Sequence, residues 1–283
     1  MSVTEKVRLK HEPIKEKIGS RILNSKDELL SGTVAGEIRE QLEARGVLVF
    51  PEIKFTHDEQ VAFTKTLGTF APEMHDKAGE EAVHPITLDE KINPTSAAYL
   101  KGSLYWHIDG TMNERPILAS LLQCEKPSPK GTGNTGFANT YAAYDALPAD
   151  KKAEFESYKV RHGAWATLFY YDPEPSQQML ERMQAIGDVE LPLVWSHKSG
   201  RKSLVIGATA RHVVDMDFKK SAELLVQLRD WATQPQVVYR HTWSVGDLVI
   251  WDNTGTMHRA TPYDPASGRL LHRTKLEGEE AFA

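Results

Sequence analysis

Cysteine is nearly absent from this sequence, and so are long apolar segments and runs of basic residues. Cys124 is the only cysteine among 283 residues, which excludes an intramolecular disulfide and favours a reducing compartment. It lies in an apolar run, where we expect a buried and inert thiol rather than a nucleophile. No stretch approaches the roughly 18 apolar residues of a membrane span, and the charged N-terminus predicts no signal peptide. We therefore expect a cytoplasmic protein.

The charge balance excludes one class of partner. The net charge is −5 and no Lys/Arg-rich run stands out, so we expect neither a nucleic-acid nor a membrane partner. Hydrophobic residues make up 40% of the chain and charged residues 26%, which is ordinary for a globular protein. The length is near the upper limit for one hydrophobic core. We predict a single domain over residues 1–283 and a homo-oligomer.

Residues 71–102 differ in composition from the rest of the chain. They are rich in Glu, Lys, Ala, Pro and Asn, and only residues 85–88 resemble a strand. Because a loop of this length in a compact domain is usually disordered or functional, we predict a mobile lid over an active site. Solvent exposure is the simpler explanation for His75, His84 and Tyr99 in this segment. A lid could nevertheless bring one of them, Tyr99 in our prediction, onto a substrate.

Short strands dominate the rest of the pattern. Helices are predicted at 25–44, from a capping box at Thr56–Glu59 onward, and at 140–147, 149–161 and 221–231. Strands are predicted at 18–23, 47–50, 103–111, 117–124, 135–139, 191–195, 202–207, 236–243, 247–251, 257–261 and 269–276. Strands bounded by turn residues on both sides of a helical insertion predict a mainly β fold with flanking helices. A sandwich or jelly roll fits this better than a parallel α/β sheet.

The stretch Ser103–Thr111 contains the first candidates for chemistry. It is rich in aromatic and branched residues and contains a glycine near its end, which predicts a strand. Strand alternation then puts Tyr105, His107 and Asp109 on one face. An imidazole and a carboxylate on one face are two thirds of a two-histidine, one-carboxylate site for non-haem iron. Without a second histidine from elsewhere, a hydrogen-bonded surface pair is the simpler interpretation.

A second histidine is available near the C-terminus. His258 lies 149 residues after Asp109 and begins a predicted strand after a turn. Such a separation is expected when ligands sit on different strands of one barrel. Three facial ligands leave three positions open for a co-substrate and oxygen.

Two arginines follow on the next predicted strand. Arg269 and Arg273 are four residues apart, so alternation puts both on one face. Arginines that face a core are costly unless each meets an anion, and the guanidinium group suits bidentate binding of carboxylate or sulfonate. The residues alone favour the simpler alternative, an outward face with two solvated arginines, which would turn Leu270 and His272 inward.

These motifs, taken in order, resemble the TauD/TfdA family of Fe(II)- and 2-oxoglutarate-dependent oxygenases, to which taurine dioxygenase and 2,4-dichlorophenoxyacetate dioxygenase belong. The similarity runs from about residue 35 to about residue 277. The matching segments are Gly46–Phe50, Phe63–Gly68, Trp106–Gly110, Gly133–Thr135, His197–Arg201, Trp243–Asn253, His258–Ala260, Arg269 and His272–Arg273.

The resemblance implies a site and a fold. His107, Asp109 and His258 are the implied catalytic iron ligands, and the implied fold is a double-stranded β-helix, or jelly roll. For 2-oxoglutarate, the resemblance implies that Arg269 pairs with the far carboxylate and that Thr135 assists it.

For the primary substrate, the resemblance implies that Arg273 binds its acidic group, so both arginines face the site. The implied reaction oxidises, most simply hydroxylates, a small carboxylate, sulfonate or sulfate, while 2-oxoglutarate and O2 give succinate and CO2. The carboxylate of Asp109 argues against a halogenase, in which a small residue takes its place. Tyr99 and Tyr105 are further candidates for substrate contact, and the apolar residues nearby permit an aryloxyalkanoate.

Two other functions remain open from the residues. One is a cupin-like metal-dependent hydrolase or isomerase with the same ligands, which would need neither the arginine pair nor oxygen. The other is a non-enzymatic, small-molecule-binding jelly roll with a structural metal, which would need a fourth protein ligand.

Overall fold

A computed structural model of the chain describes residues 7–73, 81–94 and 97–283, so His75 of the predicted lid lies outside the described residues. The α-helices are Lys26–Leu30 (α1), Ala35–Arg45 (α2), His57–Leu67 (α3), Ala97–Leu100 (α4), Thr140–Asp145 (α5), Ala149–Phe155 (α6), Leu168–Tyr171 (α7), Gln177–Gln184 (α8) and Phe218–Ala232 (α9). Short 3-10 helices span Lys101–Leu104, Ala164–Thr167, Pro235–Val237 and Pro265–Ser267.

The strands are His11–Pro13 (β1), Ser20–Ile22 (β2), Val47–Phe50 (β3), His84–Ile86 (β4), Ala119–Lys126 (β5), Thr135–Asn139 (β6), Lys159–Gly163 (β7), Asp188–Pro192 (β8), Val194–Ser196 (β9), Lys202–Leu204 (β10), Ala210–Val213 (β11), Val238–His241 (β12), Leu248–Asp252 (β13), Thr256–Ala260 (β14) and Leu270–Leu276 (β15). Among the described residues, the major sheet has the order β1-β2-β3-β13-β5-β15-β4 and the minor sheet β12-β6-β14. Smaller sheets are β11-β7-β8 and β10-β9. The prediction of a mainly β fold with flanking helices is confirmed.

Apolar side chains fill the space between the major and minor sheets. Trp251 of β13, Leu122 of β5 and Leu271 of β15 lie in one buried cluster with Phe137 of the minor sheet. Burial of each large apolar side chain stabilises the fold by roughly 1.5–3 kcal/mol. Cys124 is buried in the same cluster, and burial raises the pKa of its thiol to about 12, which agrees with an inert role.

Helices α1 to α3 cover the other face of the major sheet. Helix α3 begins at the predicted capping box, in which the Thr56 hydroxyl accepts a hydrogen bond from the Glu59 amide and the Glu59 carboxylate accepts one from the Thr56 amide. Phe63 and Leu67 of α3 share a buried cluster with Ile250 of β13. None of the described helices is long and apolar enough to cross a membrane.

Two helix predictions are wrong in extent. The helix predicted at 25–44 is interrupted between α1 and α2, where Gly32 adopts a φ of +72°. This left-handed conformation is incompatible with a continuous α-helix. The helix predicted at 149–161 ends at Phe155, because the following residues form β7 and bury Val160 between neighbouring strands.

The strand predicted at Ser103–Thr111 is not formed. Lys101–Leu104 is a 3-10 helix, and a single β-bridge between His107 and His258 replaces the expected ladder. Gly110 turns the chain with a φ of +78° soon after that bridge. The segment between the 3-10 helix and this turn therefore pairs with β14 only through the His107–His258 bridge.

The described part of residues 71–102 is partly regular. Strand β4 pairs with β15 at the edge of the major sheet and sets His84 opposite Arg273. Helix α4 carries Tyr99. The segment therefore lies beside the strand that carries Arg273, while its motion as a lid stays a prediction.

Candidate active site

His107 and His258 meet across the single β-bridge. The amide of each donates to the carbonyl of the other, at 3.0 and 2.9 Å, and the centroids of the two imidazole rings lie 4.1 Å apart. The His258 ring also contacts Trp251, at 4.5 Å, and Phe137, at 6.4 Å between ring centroids. Backbone pairing and an aromatic wall thus orient both imidazoles.

Asp109 completes a cluster of three possible metal ligands. Its Oδ1 lies 3.6 Å from His107 Nε2 and 3.7 Å from His258 Nε2. These separations exceed a hydrogen bond, whereas ligands bound about 2.1 Å from one ion lie about 3 Å apart. A small contraction therefore suffices to hold an ion. Within the described ranges, no fourth His, Cys, Asp or Glu joins this cluster, which argues against a closed structural site.

A chain of buried hydrogen bonds fixes the Asp109 carboxylate. The Ser120 hydroxyl on β5 donates to Asp109 Oδ2 at 2.7 Å. Asn253 Nδ2 donates to the same Ser120 oxygen at 3.1 Å, and Trp251 Nε1 donates to Asn253 Oδ1 at 2.9 Å. Partners of this kind orient metal ligands and raise affinity. Oδ1 remains directed toward the two histidines.

The protonation states suit metal binding. His107 Nδ1 lies 2.8 Å from the Tyr105 carbonyl oxygen, so Nδ1 carries the proton and Nε2 offers its lone pair. Burial, followed by the nearby His107, lowers the pKa of His258 to about 3. Burial alone would raise the pKa of Asp109, but His258 and Arg273 outweigh it and lower that pKa. Ionised carboxylate and neutral imidazole are the forms that ligate metals.

Gly207 supports the His107 segment from behind. It adopts a φ of +124°, and a Cβ at this position would lie 2.8 Å from the Trp106 carbonyl oxygen and 3.2 Å from His107 Cα. The next amide, that of Ala208, donates to the Trp106 carbonyl at 2.7 Å. Only glycine allows this close approach without moving a candidate ligand.

Arg269 is buried, with 2% of its surface exposed. Its Nε donates to the Gly133 carbonyl at 3.0 Å, and its guanidinium lies 4.6 Å from the Tyr263 ring centroid. In the described part of the chain no carboxylate pairs with it, and burial lowers its pKa. A buried guanidinium without an acidic partner is costly unless an anion binds there, and this agrees with the 2-oxoglutarate role implied by the sequence.

Thr135 is also buried and presents a donor. Trp243 Nε1 donates to Thr135 Oγ1 at 3.0 Å, and no acceptor among the described residues takes the hydroxyl proton of Thr135. Gly133, two residues earlier, brings the backbone against Arg269, since a Cβ there would lie 2.8 Å from Arg269 Cδ. The predicted segment Gly133–Thr135 therefore contacts Arg269 directly.

Arg273 already has an acidic partner. Its Nε and Nη2 both lie 2.8 Å from Glu73 Oε1, and Lys275 Nζ lies 2.8 Å from Glu73 Oε2. The charge of Arg273 also lowers the pKa of Asp109, so the guanidinium lies within electrostatic reach of the cluster. Glu73 belongs to the segment predicted as a lid, and no sequence pattern pointed to this pairing.

The two tyrosines differ in position. The side chain of Tyr99 is 58% exposed, and desolvation of its phenol, followed by the charge of Asp109, raises the pKa of that group. Tyr105 instead donates its hydroxyl to the Tyr170 carbonyl at 2.6 Å. Tyr105 and its neighbour Trp106 line the same cleft of about 430 Å³. Their side chains therefore do not point to opposite faces, as the side chains of neighbouring residues in a strand would.

Ser120 and Gly207 contribute to the site without having been predicted. A single serine in an apolar strand pattern does not reveal that it contacts a ligand. A lone glycine does not reveal its φ or the backbone that it approaches.

Comparison with known proteins identifies the family. A family model described as "Taurine catabolism dioxygenase TauD, TfdA family" matches residues 10–275. The chain belongs to this family.

Individual relatives agree. The alpha-ketoglutarate-dependent 2,4-dichlorophenoxyacetate dioxygenase of Cupriavidus pinatubonensis is 34% identical over 260 residues, which cover 87% of this chain and 89% of that protein. The (S)-phenoxypropionate/alpha-ketoglutarate-dioxygenase of Sphingobium herbicidovorans is 34% identical over 254 residues, with 83% of each chain covered. The crystal structure of AAD-2 in complex with Mn(II) and N-oxalylglycine superimposes with a TM-score of 0.80 at 28% identity, covering 97% of this chain and 99% of that one. The chain is therefore an oxidoreductase, a dioxygenase that depends on 2-oxoglutarate (alpha-ketoglutarate) and a metal.

Proposed function

We propose that the protein is an Fe(II)- and 2-oxoglutarate-dependent dioxygenase that hydroxylates a small organic acid with an apolar, aryloxyalkanoate-like body. One observation carries this proposal: two imidazoles and a carboxylate converge, with their donor atoms within 4.8 Å, in a chain that also buries Arg269 without a carboxylate partner among the described residues. A hydrolase or isomerase with the same ligands has no use for a second buried anion site.

His107, Asp109 and His258 would hold the ferrous ion. Two neutral nitrogens and one carboxylate form the facial donor set that leaves positions open for other ligands. The Tyr105 carbonyl and the Ser120 hydroxyl keep two of these ligands in orientation. When bound, iron with 2-oxoglutarate supplies the oxidation: O2 gives one oxygen atom to succinate, formed with loss of CO2, and the other to a C–H bond of the substrate.

Arg269 and Thr135 would bind the far carboxylate of 2-oxoglutarate. The guanidinium is held by Gly133 and Tyr263, so it is oriented before the anion arrives. Thr135 has a hydroxyl proton to donate, because Trp243 already occupies its oxygen. A fixed charge and a fixed donor bind a carboxylate with little loss of conformational entropy.

Arg273 would bind the acidic group of the primary substrate. It lies in β15, which begins directly after Arg269, and its charge lowers the pKa of Asp109. Tyr99 would contribute to the same region, since its phenol is affected by both Asp109 and Arg273. Two relatives that are each 34% identical act, by name, on 2,4-dichlorophenoxyacetate and on (S)-phenoxypropionate, which supports an aryloxyalkanoate.

We also propose that the major and minor sheets form a double-stranded β-helix. The antiparallel pairing from β3 to β4 in the major sheet and throughout the minor sheet, with the core that the two sheets share, supports it. A single domain and a homo-oligomer stay predictions, and light scattering would test the latter.

Turnover tests the proposed function. The protein with Fe(II), 2-oxoglutarate and air is offered phenoxyacetates, alkyl sulfonates and alkyl sulfates, and succinate is quantified. We expect substrate-dependent succinate, highest with a phenoxyacetate, together with phenol, because a hydroxylated ether carbon collapses. Succinate that no acid stimulates would contradict the proposed substrate class, and conversion of an acid without loss of 2-oxoglutarate would favour the hydrolase.

A further inference from the structure

A second group of metal-ligating side chains lies outside the active site. His57, Glu125 and His272 each offer a donor atom, and these atoms all lie within 4.8 Å of one another. The ring centroids of His57 and His272 are 4.3 Å apart, and His272 Nδ1 lies 3.1 Å from Glu125 Oε2. Ligands of one tetrahedral zinc ion are separated by about 3.3 Å, given bonds of about 2.0–2.1 Å. The group is thus close to coordination distance.

This group is separate from the proposed iron site. Leu271 lies in the core between the two sheets, so the next residue, His272, points to the opposite face of β15. Its ring meets His57 of α3, on the face that the helices cover. Arg273, one residue further, points back to the Glu73 ion pair in the active site.

The backbone that carries the three side chains is held rigidly. Gln60, one turn after His57 in α3, donates from Nε2 to the His272 carbonyl at 3.0 Å. Gln123, paired with His272 in the sheet, bonds to both the amide and the carbonyl of Phe55. Helix α3 is therefore attached to β15 directly, and the residue two positions before it is attached to β5.

A β-bulge explains the position of Glu125. Leu270 pairs with Lys126 and Leu271 with Cys124, so Glu125 is the extra residue of β5. Bulges redirect a side chain at a sheet edge or site. Here the carboxylate reaches His272 instead of facing a partner in the ladder.

We propose that His57, Glu125 and His272 form a second metal site, for a borderline divalent cation such as Zn²⁺. Two imidazoles and one carboxylate are the donors that zinc accepts, and exposure of His57 and Glu125 leaves a path for the ion and a fourth position for water. The ion would join α3, β5 and β15 on the side of β15 opposite to Arg273.

Zinc binding to the full chain tests this proposal independently of catalysis. The His107→Ala/His258→Ala variant removes the active-site ligands and serves as background, and bound zinc is measured by equilibrium dialysis. We expect one zinc ion per chain, a rise in Tm with zinc, and a loss of affinity of roughly tenfold or more on adding His57→Ala. Glu125→Gln should also weaken zinc, because the amide keeps a hydrogen bond to His272 but not the charge.

His11→Ala is the matched control, because His11 is an exposed histidine at the far edge of the major sheet. The zinc affinity of the background variant should be the same with and without the His11→Ala substitution. The proposal would be overturned if the background variant bound no zinc. It would also be overturned if His57→Ala lowered the zinc affinity no more than His11→Ala does. His272 and Glu125 would then be only a hydrogen-bonded pair.

Discussion

Glu73 and Arg273 form an ion pair. The Glu73 carboxylate thus binds the same guanidinium that we propose binds the acidic group of the substrate. Arg273 Nε donates to Glu73 Oε1 at 2.8 Å, and Lys275 holds the other oxygen. Burial alone would raise the pKa of Glu73, but Arg273 and Lys275 outweigh it and lower that pKa, so the carboxylate is ionised. On the proposed assignment of Arg273, the substrate anion competes with Glu73 for the guanidinium.

Glu73→Gln should lower KM for a phenoxyacetate. Removal of the carboxylate leaves the charges of Arg273 and Lys275 for the substrate anion. We expect a decrease of roughly tenfold, equivalent to about 1.4 kcal/mol, in steady-state succinate assays. Glu81→Gln is the control, because Glu81 pairs with the exposed Lys65 and should leave KM unchanged. A KM that rises in Glu73→Gln would mean that Glu73 helps to bind the substrate.

Ser120→Ala should weaken metal binding without unfolding the protein. The variant removes the hydroxyl that donates to Asp109 Oδ2 and leaves Asn253 without its acceptor. We expect roughly 10- to 100-fold lower Mn(II) affinity, as for other groups that orient ligands. Ser157→Ala, an exposed serine bonded to the Glu154 carbonyl, should not change it. Equal Mn(II) affinities in the two variants would show that the Ser120 hydroxyl does not support metal binding.

Gly207→Ala should displace His107. A Cβ at this residue would meet the Trp106 carbonyl oxygen at 2.8 Å, whereas one at Gly187, with φ +97°, would meet nothing within 4 Å. Gly187→Ala therefore has comparable backbone strain without the collision. We expect both variants to lose Tm, but only Gly207→Ala to lose Mn(II) affinity. If both variants lost Mn(II) affinity to the same extent, backbone strain alone would explain the loss.

Asp252 should make stability depend on pH. Burial raises the pKa of Asp252 to about 7, and its Oδ2 has no hydrogen-bond partner among the described residues. In the unfolded chain the aspartic acid has a pKa of about 3.9. Between about pH 3.9 and pH 7 the folded state therefore binds more protons than the unfolded state, and the free energy of unfolding falls as pH rises. We expect a loss of about 2 kcal/mol from pH 5 to pH 7 attributable to this group.

Asp252→Asn isolates this contribution. The variant should show a flatter dependence of unfolding free energy on pH, measured by urea denaturation at several pH values. The same slope in both proteins would contradict a neutral, buried Asp252.

The clustering of the three proposed ligands could be predicted because it depends on residue types in a recognisable order. His107, Asp109 and His258 lie in motifs that carry the resemblance, and the structure brings them together although the strand predicted around the first two is absent. A β-bridge of one residue pair was enough to fix His107. Local pattern thus identified the residues, while the conformation depended on a tertiary contact with β14.

The supporting residues could not be predicted for physical reasons. Glu73 reaches Arg273 across 200 positions of sequence, and its identity as a pairing carboxylate has no local signal. Ser120 looks like any small residue in a buried strand. The interruption of the first helix at Gly32 depends on a backbone conformation that apolar periodicity does not record.

The visible spectrum of the anaerobic protein with Fe(II) and 2-oxoglutarate tests the central claim most directly. We expect a metal-to-ligand charge-transfer band that His107→Ala and Asp109→Ala abolish. Arg269→Ala should need much more 2-oxoglutarate for the same band, and Arg273→Ala should keep the wild-type requirement. A folded wild-type protein without the band would contradict the dioxygenase assignment, and loss of the band in Arg273→Ala alone would reverse the roles of the two arginines.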